Sequence, residues 1–411
     1  MRRLTLALLC TLTLIGAPAQ ASAGPRPMEV FSEDGTITRV PVDLPEPRLR
    51  ARLAPTATVT PVEVNGDPAN RIDLTFLGDG YTAADQASYS AQVADTWARM
   101  TAKEPFRTYR ELFNVWQVNV VSPVSGVTGD PTADVVKDTP LGAQFWCDGL
   151  ERLLCVDIDA ARAHAALAPG MDQIAVLANT TKYGGAGYTE EELVTFAGGH
   201  ALGAEILPHE LGHSLGDLAD EYPYWAFPGD GSRYEGPELA EANVTIKNAE
   251  QMTAERAKWW RWLGSPTPDG GVTGAFEGAY YTQYGAFRPS DNSLMRSLRR
   301  EFNSVGREKM IAEFFEIARP IDAHTPNTSP VPRQSTLAIT TLPVEGLTVR
   351  WFKNGHEMAD WRGRTSVRAV GGGNGGTFRV EVSHTTPDVR DPAHLAGPLT
   401  QSVTWTVKGN H

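Results

Sequence analysis

The residues best suited to chemistry lie in one stretch, residues 206–222, ILPHELGHSLGDLADEY. Within it, His209-Glu210-Leu211-Gly212-His213 is an H-E-x-x-H pattern with room for helix on both sides. Histidines four residues apart sit about 40° apart around a helix, so both imidazoles can face one ion. The chemistry this predicts is that of a zinc site with His209 and His213 as ligands. Glu210 is placed to hold the water that such an ion activates. The flanks fit a half-buried helix: Pro208 precedes the motif, Leu211, Gly212 and Leu215 are apolar or small, and Gly216 offers a sharp bend. The extended pattern H-E-x-x-H-x-x-G-x-x-H would put a third histidine at position 219, where this chain has Ala219. Nine histidines are present in all, and beyond the motif the surrounding segment holds only His164 and His200. A carboxylate is therefore the economical third ligand. Asp220 is the choice by spacing, with Glu221 as its rival.

These side chains need a scaffold, and the preceding segment supplies one. Ile72, Leu74 and Phe76 alternate with Asp73 and Thr75 as in a strand. Gly78-Asp79-Gly80 then leads into a helix with Thr82 as N-cap and Asp85 three residues on. Tyr89, Val93, Trp97 and Met100 give that helix its buried face. Trp116, Val118 and Val120 form a second strand, and 172–178 a third, ahead of the motif helix. The glycine-rich segment 182–188 reads equally as a sheet edge that accepts an extended substrate or as a plain hairpin. Downstream, Trp259, Trp260 and Trp262 read as packing. Met295, in the turn after RPSDNSL, resembles the methionine turn beneath the metal of metzincins. Glu277, Tyr280, Tyr281 and Tyr284 are candidates to line a cleft, with a tyrosine hydroxyl as oxyanion donor. A helix over 308–318 closes this part.

The chain opens with MRRLTLALLCTLTLIGAPAQASAG, a basic pair followed by an apolar run and small-x-small sites, which predicts a cleavable signal peptide over 1–23 and a secreted protein. No other stretch is long enough to span a bilayer, so membrane insertion is not expected. The formal charge of −12, more negative once Arg2 and Arg3 leave with the leader, argues against nucleic-acid partners. The remaining cysteines, Cys147 and Cys155, are expected to pair as a local disulfide. Residues 24–66 are proline-rich, with short apolar pieces at 37–42 and 57–64 that could be strands, and read as an extended, propeptide-like segment, a clasp on the next domain, or plain extended chain. A catalytic unit follows over 67–320, then a proline-rich linker over 321–334. Over 335–411 the period changes to two, predicting a small all-β, immunoglobulin-like sandwich.

Five segments together resemble the IgA-peptidase family of secreted zinc metallopeptidases: LGDGYT, EPF with FNVW, HELGHSLGDLADEY, FEGAYY and RPSDNSLM, spanning roughly 73–296 in family order. The resemblance implies an α/β (α+β) metzincin-like catalytic domain with an accessory β-domain. It also implies one catalytic Zn2+ on His209 and His213, Glu210 as the catalytic glutamate, and a protein or peptide substrate. The expected reaction is peptide hydrolysis, with Glu210 taking a proton from the attacking water and passing it to the leaving amine. Two alternatives use the same helix: a zinc amidase or deacetylase, and a binding protein that retains the zinc fold.

Overall fold

The computed structural model describes residues 24–44, 56–223, 233–370 and 375–409. Residues 1–23, read from sequence as a signal peptide, and most of the glycine run near 371–376 lie outside the described residues.

The described chain begins with an antiparallel hairpin, β1 (Arg26–Phe31) and β2 (Ile37–Val42). Asp34-Gly35 makes its turn, with Gly35 at φ 94°, a conformation that suits glycine. Its apolar residues are split between two cores: Phe31 and Ile37 join one, while Met28, Val40 and Val42 join the other. This segment is therefore folded and anchored, and the apolar pieces at 37–42 and 57–64 supply β2 and the strand Thr58–Glu63.

A six-stranded sheet forms the centre. Its strands are β3 (Thr58–Glu63), β4 (Ile72–Asp79), β5 (Phe113–Asn119), β6 (Gln173–Ala178), β7 (Gly185–Tyr188) and β8 (Leu193–Ala197), in the order β3-β5-β4-β6-β8-β7. The middle four are parallel and both edges are antiparallel. Helix α1 (Gln86–Met100) covers one face, burying Tyr89, Val93, Trp97 and Met100 against Leu74 and Phe76. Helix α2 (Ile158–Ala165) and the hairpin cover the other. Strand β4 alternates in sequence but is buried along its whole length, as a parallel strand covered on both faces must be. Its polar side is satisfied internally: Asp73 accepts from Trp116 Nε1 at 2.7 Å and Asn114 Nδ2 at 3.1 Å. Helix α1 also begins later than the capping pattern predicts. The Thr82 side chain donates to Asp85 at 2.7 Å, closing a turn, and the helix starts after Asp85. Cys147 and Cys155 are bonded to each other, as expected.

The motif helix α3 (Ile206–Ser214) follows β8. Beyond it come α4 (Ala249–Glu255), the hairpin of β9 (Phe276–Ala279) and β10 (Thr282–Arg288), and α5 (Ser304–Ile317). Trp259 and Trp262 are buried beside Met252 and Val305, consistent with packing, in turns rather than in a helix.

The remainder forms two further sheets. One has the order β11-β12-β15, from β11 (Ile321–His324), β12 (Thr336–Thr341) and β15 (Ser366–Arg368). The other has the order β14-β13-β16-β17, from β13 (Leu347–Lys353), β14 (His356–Glu357), β16 (Gly376–His384) and β17 (Thr400–Val407). Both contribute to one core in which Trp351 and Trp405 stack at 5.6 Å. The proline-rich stretch read as a linker contributes β11 and Val331 to that core.

Candidate metal centre

Helix α3 carries His209 and His213 on one face, and each imidazole is aimed by a backbone carbonyl. His209 Nδ1 lies 3.0 Å from Leu294 O, and His213 Nδ1 lies 2.6 Å from Leu218 O. A carbonyl can only accept, so Nδ1 carries a proton in both rings. Each Nε2 is left facing the other, 3.2 Å away. Leu294 belongs to the turn that holds Met295, which is buried under the helix. A Cβ at Gly212 would fall 2.5 Å from Met295 Sδ, so glycine inside the motif is what lets this turn approach. The same turn reaches the next segment, because Met295 O accepts from Glu221 N at 2.8 Å.

The bend after α3 differs from the expected one. The left-handed residue is Asp217, at φ 49°, and Gly216 serves close packing instead: a Cβ there would lie 2.1 Å from Met310 Sδ. The returning chain brings Asp220 Oδ1 to 3.3 Å from His213 Nε2 and 3.6 Å from His209 Nε2. Glu221 points elsewhere. Its carboxylate accepts from Asn243, Ser293 and Asn303 and ties the two halves of the site together. Asp220 is thus brought to the histidines and its rival is not.

Tyr280 and Tyr281 form the two-residue turn between β9 and β10, both with positive φ, 49° and 64°. Glycine or asparagine usually fills such turns, and tyrosines here carry a backbone cost. Three contacts offset it: Tyr280 N to Asp220 O at 3.1 Å, Tyr281 N to Tyr222 O at 3.0 Å, and Tyr281 Oη donating to Asp220 Oδ2 at 2.7 Å. Tyr284 and Glu277 stand apart from this group, with Glu277 accepting from Gly285 N.

One residue escaped the sequence reading. Glu29, on β1, places Oε2 2.9 Å from His209 Nε2 and 3.8 Å from His213 Nε2, while Tyr222 Oη donates to its Oε1 at 2.5 Å. The Asp34-Gly35 turn between two apolar runs was the signal for its hairpin. Nothing in sequence ties Glu29 to a motif 180 residues away.

Four groups therefore converge: Glu29, His209, His213 and Asp220, with donor atoms all within 4.8 Å of one another. The separations quoted above, 2.9–3.8 Å, bracket the edge of about 3.3 Å expected of a tetrahedron with metal–ligand bonds of about 2.0–2.1 Å. Burial disfavours charge on both imidazoles, yet the facing carboxylates outweigh it and hold both above the ordinary histidine value. Glu210 lies alongside, its carboxyl pushed up to about 8 by burial and then by Glu29. Among the described residues, Glu210 Oε1 and Asp220 Oδ1 are buried oxygens without a hydrogen-bond partner. Two histidines offering Nε2, a carboxylate with an unsatisfied oxygen, and a neighbouring glutamate fit a divalent metal with a water beside it. A cleft of about 310 Å³ opens onto the group, lined among others by Gly187, Glu190, Glu210, Tyr280 and Tyr281. A Cβ at Gly187 would sit 1.7 Å from Glu210 Oε2, so the edge strand β7 leaves the room that this carboxylate fills. The segment 182–188 thus proves to be both hairpin and sheet edge.

No helix among the described residues is long and apolar enough to cross a membrane. A search of curated proteins returned no match. The sequence model of the IgA peptidase M64 family matches residues 60–270 and 265–314, which include α3, Asp220 and the Met295 turn; the chain belongs to that peptidase family.

Proposed function

We propose that the protein is a secreted zinc-dependent endopeptidase. The observation that carries this reading is the convergence of His209, His213 and Asp220 beside Glu210, whose Oε1 is unsatisfied. Zinc held by these three residues would supply Lewis acidity toward the scissile carbonyl and acidify the attacking water. Glu210 takes the proton of that water and delivers it to the leaving amine. Glu210 is buried beside the proposed ligands and its Oε1 has no hydrogen-bond partner among the described residues, which suits it to this role. Tyr281 holds Asp220 through its hydroxyl, and the carbonyls of Leu294 and Leu218 hold the two histidines. An extended peptide in the cleft would run beside β7, whose Gly187 leaves room for the Glu210 carboxylate. Export follows from the leader over 1–23 and fits the Cys147–Cys155 bond. The C-terminal sheets, with their shared core and stacked tryptophans, support an immunoglobulin-like accessory domain over 335–411, to which β11 and Val331 of the preceding stretch are added, next to a catalytic unit over 67–320.

The test is metal stoichiometry together with casein cleavage. About one zinc per chain is expected, lost in Asp220→Ala and retained in Glu221→Gln, with cleavage abolished by chelation and restored by zinc. A wild type that takes up no zinc, or cleavage indifferent to chelation, contradicts the reading.

A further inference from the structure

We propose that the N-terminal hairpin is a built-in occupant of the substrate cleft, in which Glu29 fills the coordination position that hydrolysis requires open. The inference rests on the zinc reading above. A catalytic zinc keeps three protein ligands and leaves the fourth position to water and substrate, whereas four protein ligands close the site. Here His209, His213 and Asp220 all come from the family-matched region, which begins at residue 60. Glu29 comes from outside it, on a hairpin that ends at Val42.

The geometry is that of a fitted plug rather than a passing side chain. Glu29 is 8% exposed, Oε2 faces the two histidines, and Oε1 is fixed by Tyr222. Two arginines on the same hairpin hold it across the cleft. Arg26 pairs with Glu191 through two bonds of 2.8 and 2.9 Å, just past the edge strand β7. Arg39 lies over the Tyr281 ring at 4.3 Å, on the opposite wall. Strand β1 packs along β7, the edge beside which the peptide is proposed to run. Phe31 meets His209 edge-on at 5.9 Å, and Leu298 N donates to Gly35 O at 3.0 Å. The hairpin is thus anchored in both cores, and the Glu29 carboxylate is its one charged group directed at the histidines. Substrate gains the metal only when this carboxylate gives way, so the chain as it stands is held at low activity by its own N-terminal hairpin.

Zinc content and the affinity of a peptidyl hydroxamate, which chelates an open metal position, test this in the wild type, Glu29→Gln and Glu29→Ala by calorimetry. An internal ligand filling the position in nine of ten molecules weakens an external one about tenfold. Both variants are expected to keep about one zinc, bind the hydroxamate at least about tenfold more tightly and cleave casein faster. Glu29→Gln preserves the side-chain volume and guards against a folding defect in Glu29→Ala. Equal hydroxamate affinity in all three zinc-loaded proteins overturns the proposal and leaves the zinc reading intact. Loss of zinc from both variants also overturns it, because Glu29 would then be a permanent ligand. A wild type without zinc overturns both readings.

Discussion

At the scale of single residues, the site is a set of oriented lone pairs. Asp220 presents Oδ1 to the histidines because Tyr281 occupies Oδ2 at 2.7 Å. Removing that hydroxyl frees the carboxylate to rotate while leaving the proposed ligand in place. Tyr281→Phe is expected to weaken zinc binding about 10- to 100-fold, read by competition against a chromophoric chelator. An unchanged affinity would show that Asp220 is held by other means. The motif itself was fully legible in sequence, since helical spacing alone puts His209 and His213 on one face. The choice between Asp220 and Glu221 was not, because adjacent carboxylates differ only in which way the chain turns. The turn is set by Asp217 in the left-handed region and by Glu221 N binding Met295 O, neither of which leaves a mark in sequence. Glu29 was illegible for a different reason, being a lone acidic residue brought in from 180 positions away.

At the scale of elements, glycines decide how closely the parts of the site approach. Gly212 lets the Met295 turn reach under α3, and Gly187 lets Glu210 lie against β7. In Gly187→Ala the new methyl group would overlap the carboxylate, so Glu210 must move. Casein cleavage is expected to fall by about 10²-fold or more while zinc content and secondary structure are kept. Cleavage at the wild-type rate would mean that the position of Glu210 matters less than the contact suggests. Strands β4, β5 and β6 and helix α1 were readable from periodicity, with four of the five residues that α1 buries, but not Thr96, nor α2 and β8. The full burial of β4 was not, because alternation cannot reveal that a polar face is covered and satisfied internally, as Asp73 is.

At the scale of the whole molecule, the C-terminal sheets are joined to the rest by polar contacts set in apolar packing. Arg71 pairs with Asp322 through two bonds of 2.6 and 2.9 Å, and Glu308 accepts from the backbone N–H groups of Arg390 and Asp391. Tyr109 meets His384 at 2.9 Å, and the His384 ring stacks on Phe315. Burial pushes the His384 imidazole down to about 4, below the value of about 6.5 in an unfolded chain. The unfolded chain therefore binds its proton first. The stability this ring contributes is present above about pH 6.5 and is lost as pH falls toward 4. Urea midpoints are expected to fall over that window and to fall less in His384→Gln; parallel curves would remove His384 from the acid response. The β-period of this region and its aromatic residues were plain in sequence. Its junction depends on pairs more than 200 residues apart, such as Arg71 with Asp322, and these only the folded chain reveals.

In the proposed reaction Glu210 performs proton transfer next to a metal held by its neighbours. The most direct test is kcat/KM for peptide cleavage by zinc-loaded Glu210→Gln, with zinc content measured on the same samples. Unchanged zinc, about one per chain, and a fall in kcat/KM of about 10²- to 10⁴-fold are expected. Cleavage by Glu210→Gln at the wild-type rate, with zinc bound, would exclude Glu210 from proton transfer.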